Sequence, residues 1–117
     1  MPQGRIILKS ISNSKKLARL KTDGARLLFT WLIPHLDING CFYGEAEILK
    51  GQVFTRLHKS TKTIEMYLGD LEKANLIIRY EINEEKYINV PNFQDKQPKL
   101  RPEREAKGYI PLPPKKI

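Results

Sequence analysis

Residues 60–90 read STKTIEMYLGDLEKANLIIRYEINEEKYINV, and the way this stretch divides decides the fold. Ser60 or Thr61 sets a hydroxyl ahead of Ile64, Tyr67, Leu68 and Leu71, which recur at three and four residues. That spacing predicts a capped amphipathic helix running to about Asn75. Turning 100° per residue from Ile64, the opposite face carries Lys62, Met66, Gly69 and Lys73 and has no large apolar cluster. LIIRYEI and KYINV then flank a short loop at Asn83-Glu84-Glu85, the pattern of a β-hairpin. Pairing Tyr80 with Ile88 and Ile78 with Val90 gathers Leu76, Ile78, Tyr80, Ile82, Ile88 and Val90 on one face. Arg79, Glu81, Asn89, Ile77 and Tyr87 fall on the other, and a one-residue slip would scramble that segregation.

Working back toward the N-terminus, residues 54–59 read as a short turn. Before it, Glu45 to Val53 predict a helix with Ile48, Leu49 and Val53 facing inward. Glu45 and Glu47 suit the positive end of its dipole. Cys41-Phe42-Tyr43 reads as one short strand after an Asn39-Gly40 turn. Thr22 or Asp23 can cap ARLLFTWLI, with Leu28, Trp31 and Leu32 on one face and Pro34 ending or kinking the helix. Ser12-Asn13-Ser14 precede KKLARLKT, a short helix with Leu17 and Leu20 inward. The expected fold is therefore α+β: helix, helix, short strand, helix, turn, helix and hairpin. That is the order of a winged helix-turn-helix with a C-terminal hairpin wing.

The chain has 117 residues, enough for one domain with one modest core. Residues 1–94 are expected to fold, and 95–117, basic and rich in proline, to form an extended tail or linker to a further C-terminal region. Lys and Arg number 21 against 13 Asp and Glu, a net charge of +8 and a pI near 9.7, which favours an anionic partner. The excess is uneven. Residues 1–30 carry +6 and 94–117 carry +4, while the centre is slightly acidic.

No apolar run approaches the roughly 18 residues of a membrane helix. Met1–Ser10 lacks a signal peptide's apolar centre, and one cysteine, Cys41, makes no disulfide framework or thiolate cluster. A cytoplasmic protein without membrane partners is the expectation.

Catalytic chemistry finds little to use. His35 and His58 are 23 residues apart, and neither has a neighbour that completes a metal pair or a nucleophile–base pair. Packing near a helix end suits His35, a surface turn suits His58, and a buried thiol suits Cys41. Asp37-x-Asn39-Gly40 fails as a calcium loop, because Phe42 and Ile48 stand where a glycine and a bidentate glutamate are needed. The seven glycines are scattered, without a phosphate-binding loop. The chain reads as a non-enzyme with no cofactor and no metal.

Nucleic-acid binding has better material. In a helix-turn-helix the second helix enters the major groove, N-terminal residues first. Here those are Lys59, Ser60, Thr61 and Lys62, with Glu65 one turn on and Lys73 further along a helix of about 24 Å. Ammonium and hydroxyl groups can bond phosphates or base edges, and a glutamate can accept from cytosine N4. Arg56, Lys15, Lys16 and Arg19 could hold the flanking backbone of double-stranded DNA. An exposed lysine is ordinarily only a solvated group; position after a short turn and before a hairpin is what raises these.

The acidic hairpin tip, Asn83-Glu84-Glu85-Lys86, argues against a minor-groove contact. It leaves open a protein-interaction or self-association module, with the hairpin and Gly4–Leu8 as surfaces. A single-strand binder would use Tyr87, the one aromatic expected on a polar face.

ISNSKKLARL (11–20), LLFTWLIPHLDINGCFYG (27–44), EILKGQVF (47–54), IEMYLGDLEKANLIIRYE (64–81) and EKYINVPNF (85–93) together resemble the N-terminal domain of phage replisome-organiser, or DnaD-like, replication proteins. The resemblance covers about residues 5–104, and the tail from Phe93 through Gln97 to Arg101 and Arg104, ending in IPLPP (110–114), also fits the family's domain end. It implies a winged-helix fold, a role in starting phage or prophage DNA replication, and origin-DNA binding or self-association. A C-terminal region, not visible here, would recruit a helicase or its loader. Cys41 stands where the family would have a basic residue, Asn83-Glu84 where it would have Asp-Gly, and Lys96 where a histidine is common.

Overall fold

The structure, a computed structural model, describes residues 3–98, 108 and 110–114; Arg101 and Arg104 lie outside them. A 3₁₀ turn at Lys9–Asn13 leads into α1 (Lys15–Ala18) and α2 (Asp23–Leu32), and α2 ends in a second 3₁₀ turn at Ile33–His35. β1 (Cys41–Tyr43), α3 (Ala46–Gln52), α4 (Thr61–Lys73), β2 (Ile78–Ile82) and β3 (Glu85–Asn89) follow, then a 3₁₀ turn at Gln94–Lys96. The fold is α+β, its three strands forming an antiparallel sheet in the order β1-β3-β2. No helix among the described residues is long and apolar enough to cross a membrane.

Hydroxyl caps start three of the helices. The side chains of Ser14, Thr22 and Ser60 accept from the amides of Leu17, Ala25 and Thr63 at 3.1–3.2 Å. Helix α1 is shorter than the sequence predicts, and its end has a specific cause. The Arg26 guanidinium reaches from α2 to the carbonyls of Leu17 at 2.8 Å, Ala18 at 2.9 Å and Leu20 at 2.5 Å, and takes up acceptors that a longer helix would bond itself. Helix α4 closes in a Schellman turn: Asn75 takes a left-handed φ of 60°, its amide bonds Glu72 O, and the Leu76 amide bonds Leu71 O.

All four apolar positions expected of α4, Ile64, Tyr67, Leu68 and Leu71, are buried. They pack between α2 and α3. Gly24 lets the first turn of α2 close on α4, since a Cβ there would lie 2.1 Å from the Tyr67 hydroxyl. The buried stripe of α2 is Ala25, Leu28, Phe29 and Leu32. Trp31, expected on the inward face, is 42% exposed at the margin of that stripe, edge-on to Phe54. On α3, Leu49 and Val53 turn inward and Ile48 is half-buried.

The hairpin differs from expectation by one residue. Its turn is the two-residue pair Asn83-Glu84, with φ of 52° and 67°, in place of a three-residue loop. Two successive left-handed residues give the type I′ geometry that matches strand twist. The pairing is therefore Arg79 with Ile88 and Tyr80 with Tyr87. β3 keeps its expected orientation, with Ile88 and Val90 buried, but β2 turns over: Ile77 is buried at 2% exposure and Ile78 is 37% exposed.

Tyr80, Ile82 and Ile78 thus share the outer face with Tyr87 and Asn89, and with Cys41 and Tyr43 of β1. The rings of Tyr43, Tyr87 and Tyr80 form a row, with centroids 6.1 and 5.7 Å apart. Tyr87, expected to stand alone, is the middle of three.

Extended residues before the first 3₁₀ turn lie along the body. The Ile6 amide donates to Gln97 Oε1 at 2.9 Å and Gln97 Nε2 donates to the Ile6 carbonyl at 2.7 Å, so this buried side-chain amide stands in for a strand partner. Gln97 lies beyond the boundary expected after residue 94.

Because φ above +50° strains a non-glycine residue, Glu84→Gly is expected to raise stability by about 1 kcal/mol. The measurement is the denaturant midpoint at unchanged slope. Burial also pushes the Cys41 thiol and the Tyr80 phenol up, each bonded to the other. The folded state therefore holds protons that the unfolded chain releases above the ordinary values of 9.0 and 10.0. Stability from this pair is full below pH 9 and declines above it; Tyr80→Phe is expected to flatten that decline in unfolding curves taken across the range.

Candidate nucleic-acid interface

The thirteen residues of α4 make a helix of about 20 Å, shorter than the 24 Å expected because Ala74 and Asn75 form its closing turn. Its outer face exposes Thr61, Lys62, Glu65, Met66, Glu72 and Lys73, and Met66 is the most accessible apolar side chain there. The sequence-predicted basic residues gather at the two ends of this face.

At the C-terminal end, Lys16, Arg19 and Lys73 line one open cleft of about 380 Å³ with Lys21, Leu20, Asp70, Ala74 and Asn75. Four cations against one carboxylate make it a strongly positive concavity. The Lys16 ammonium donates to the Asn75 carbonyl at 3.4 Å, joining α1 to the closing turn of α4. Lys15 is exposed on α1 but does not line the cleft. Lys21 was missed because KKLARLKT reads as one helix. The chain instead leaves helix at Ala18, and the turn that follows carries Lys21 to the cleft.

At the other end, Arg56 is exposed in the turn between α3 and α4. Lys59 is half-buried, its ammonium 5.9 Å from the centre of the Tyr67 ring, within cation–π range. Ser60 is occupied as the helix cap, its oxygen accepting from the Thr63 amide at 3.1 Å and lying 2.9 Å from the Thr63 hydroxyl. Thr61 and Lys62 are exposed in the first turn.

Glu65, between the two ends, is paired with the Arg79 guanidinium from β2. Arg79 faces the helices because of the shifted register, and its charge cancels the acid in the middle of the helix face. Its partner could not be found from sequence, since the expected register put Arg79 on the far side of the sheet.

The remaining candidates stand apart from this surface. His35 is exposed and lies 5.8 Å from the Phe42 ring, and His58 is exposed in the turn before α4. Cys41 is fully buried. Asp37 Oδ1 accepts from the amides of Asn39 and Cys41, both at 2.9 Å, holding the turn that enters β1. Among the described residues no group of three or more His, Cys, Asp or Glu could hold a metal ion.

No protein-family model matches the chain, and no curated protein or solved structure does.

The capping role of Ser60 separates structure from ligand contact. Ser60→Ala is expected to lower stability by about 1 kcal/mol in urea unfolding, and Ser60→Asp, which keeps an acceptor at the cap, to recover most of that loss.

Proposed function

We propose that this chain is a winged helix-turn-helix domain that binds double-stranded DNA, and that it serves a phage or prophage replication-initiation protein of the replisome-organiser type. The observation that carries the DNA reading is the outer face of α4. It projects no large apolar cluster, and it runs from Lys62 and Arg56 at one end to the four-cation cleft of Lys16, Arg19, Lys21 and Lys73 at the other. A helix of about 20 Å fits a major groove roughly 12 Å wide, with the cationic ends meeting phosphates on either side.

In this reading Lys62 and Thr61 enter the groove. Arg56, Lys16, Arg19, Lys21 and Lys73 hold the backbone, and Lys15 adds to the positive field. The pairing of Glu65 with Arg79 supports the same surface by removing a carboxylate that would repel phosphate. The hairpin tip, with Glu84 and Glu85, stays clear of the duplex. The protein works in the cytoplasm, without catalysis or cofactor, and recruits a helicase or its loader through a further C-terminal region.

Self-association is the second reading, favoured by the exposed Trp31 and by the acidic tip. Its other expected surface, Gly4–Leu8, is partly spent inside the chain: Arg5 bonds the Leu36 carbonyl and Ile6 pairs with Gln97.

The test is fluorescence anisotropy on a labelled duplex at several salt concentrations. Six phosphate contacts predict a slope near −5 in log affinity against log salt, and Lys73→Ala or Lys16→Ala each reduce its magnitude by about 1. A flat response untouched by Lys62→Glu and Lys73→Ala overturns the DNA reading. Concentration-dependent mass in light scattering without DNA would then support self-association.

A further inference from the structure

The outer face of a three-stranded sheet backed by helices ordinarily meets water. Here two of its polar or reactive side chains do not: Cys41 is 0% and Asn89 is 9% exposed. A segment remote in sequence reaches this face. Residues 110–114, Ile-Pro-Leu-Pro-Pro, begin 21 residues after β3 ends and lie against this face. The Tyr80 hydroxyl donates to the Pro111 carbonyl at 2.5 Å and lies 3.4 Å from Cys41 Sγ, which also receives Asn89 Nδ2 at 3.3 Å. Leu112 and Pro113 border a hollow with Asn39, Asn89, Asn92 and Gln94. Gly108 approaches Asp37 so closely that a Cβ would come within 2.5 Å of Oδ2.

We propose that the outer face of the sheet is a binding groove for an extended, proline-rich peptide, and that residues 110–114 of this chain are its resident occupant. Three features fit that ligand. The row of Tyr43, Tyr87 and Tyr80 offers flat aromatic surface with hydroxyl donors, the chemistry that receives a polyproline II strand. Such a strand has no internal hydrogen bonds, so its carbonyls are open to a donor, and Tyr80 supplies one. Proline also fixes φ in advance and lowers the ordering cost of binding.

The mode is not strand addition, because among the described residues no backbone–backbone hydrogen bond joins 110–114 to the sheet. Recognition runs through side chains, and a separate peptide of the same chemistry can make the same contacts. The partner class is therefore an extended segment alternating aliphatic residues with proline. The resident segment belongs to the same chain, so a separate peptide must compete with an intramolecular occupant.

Cys41, the single cysteine, reports on the cover. The experiment follows its reaction with a chromogenic disulfide under native conditions in the full chain, and needs no DNA. In the unaltered chain labelling is slow. Gly108→Val, which drives a side chain into Asp37, and separately Ile110→Asp, are each expected to speed it at least tenfold while circular dichroism stays unchanged. A synthetic peptide of residues 108–117, added at millimolar concentration to either variant, restores the slow rate. The same peptide with glycine for its three prolines does not.

Equal labelling in all chains would overturn the proposal, since the sheet itself would then shield the thiol. Acceleration that no peptide reverses would overturn it too, because the segment would be only a structural strap. If Gly108→Val fails to fold, Ile110→Asp, which leaves the approach to Asp37 intact, decides.

Discussion

The four buried side chains of α4 hold the domain together. Ile64, Leu68 and Leu71 are fully buried and Tyr67 nearly so, and they fill the space between α2 and α3. Gly24, with no Cβ at the crossing, leaves room for the Tyr67 ring of α4 against α2. Burying one stripe of a helix commits the opposite stripe to solvent, since the two lie half a turn apart. The same packing that makes the core therefore presents Lys62, Met66 and Lys73 outward. Core and candidate interface are two faces of one helix.

Three of the basic side chains have structural work inside the fold. Arg26 closes the end of α1 through three carbonyls, and Arg79 neutralises Glu65. Lys59 lies over Tyr67. Among the groups left facing outward, Lys16, Arg19, Lys21 and Lys73 share a cleft at the C-terminal end of α4. Net charge alone describes a basic protein; the distribution of partners turns it into one positive concavity beside one helix.

The two faces of the sheet were unequally legible. Ile88 and Val90 face inward as their alternation requires, whereas the burial of Cys41, on the outer face, does not follow from its strand. β2 was not legible in the same way, because IIRYEI offers an apolar residue at nearly every position. Either register then places hydrophobic side chains inside, and pattern alone selects the wrong one. The candidate site was legible in its residue types and less so in its grouping. Lys16, Arg19 and Lys73 are far apart in sequence, and Lys21 depends on where α1 stops.

Local chemistry specifies one part of this fold. The hydroxyls of Ser14, Thr22 and Ser60 start the helices, the spacing of Ile64, Tyr67, Leu68 and Leu71 sets the buried face of α4, and the order of elements follows. Each depends on neighbours within about one helical turn. Tertiary structure decided the rest: the two-residue turn that inverts β2, the pairing of Arg79 with Glu65, and the bond from the Tyr80 hydroxyl to the Pro111 carbonyl. Those depend on backbone torsions at two positions and on bonds between residues 14 and 31 apart, which no sequence periodicity encodes.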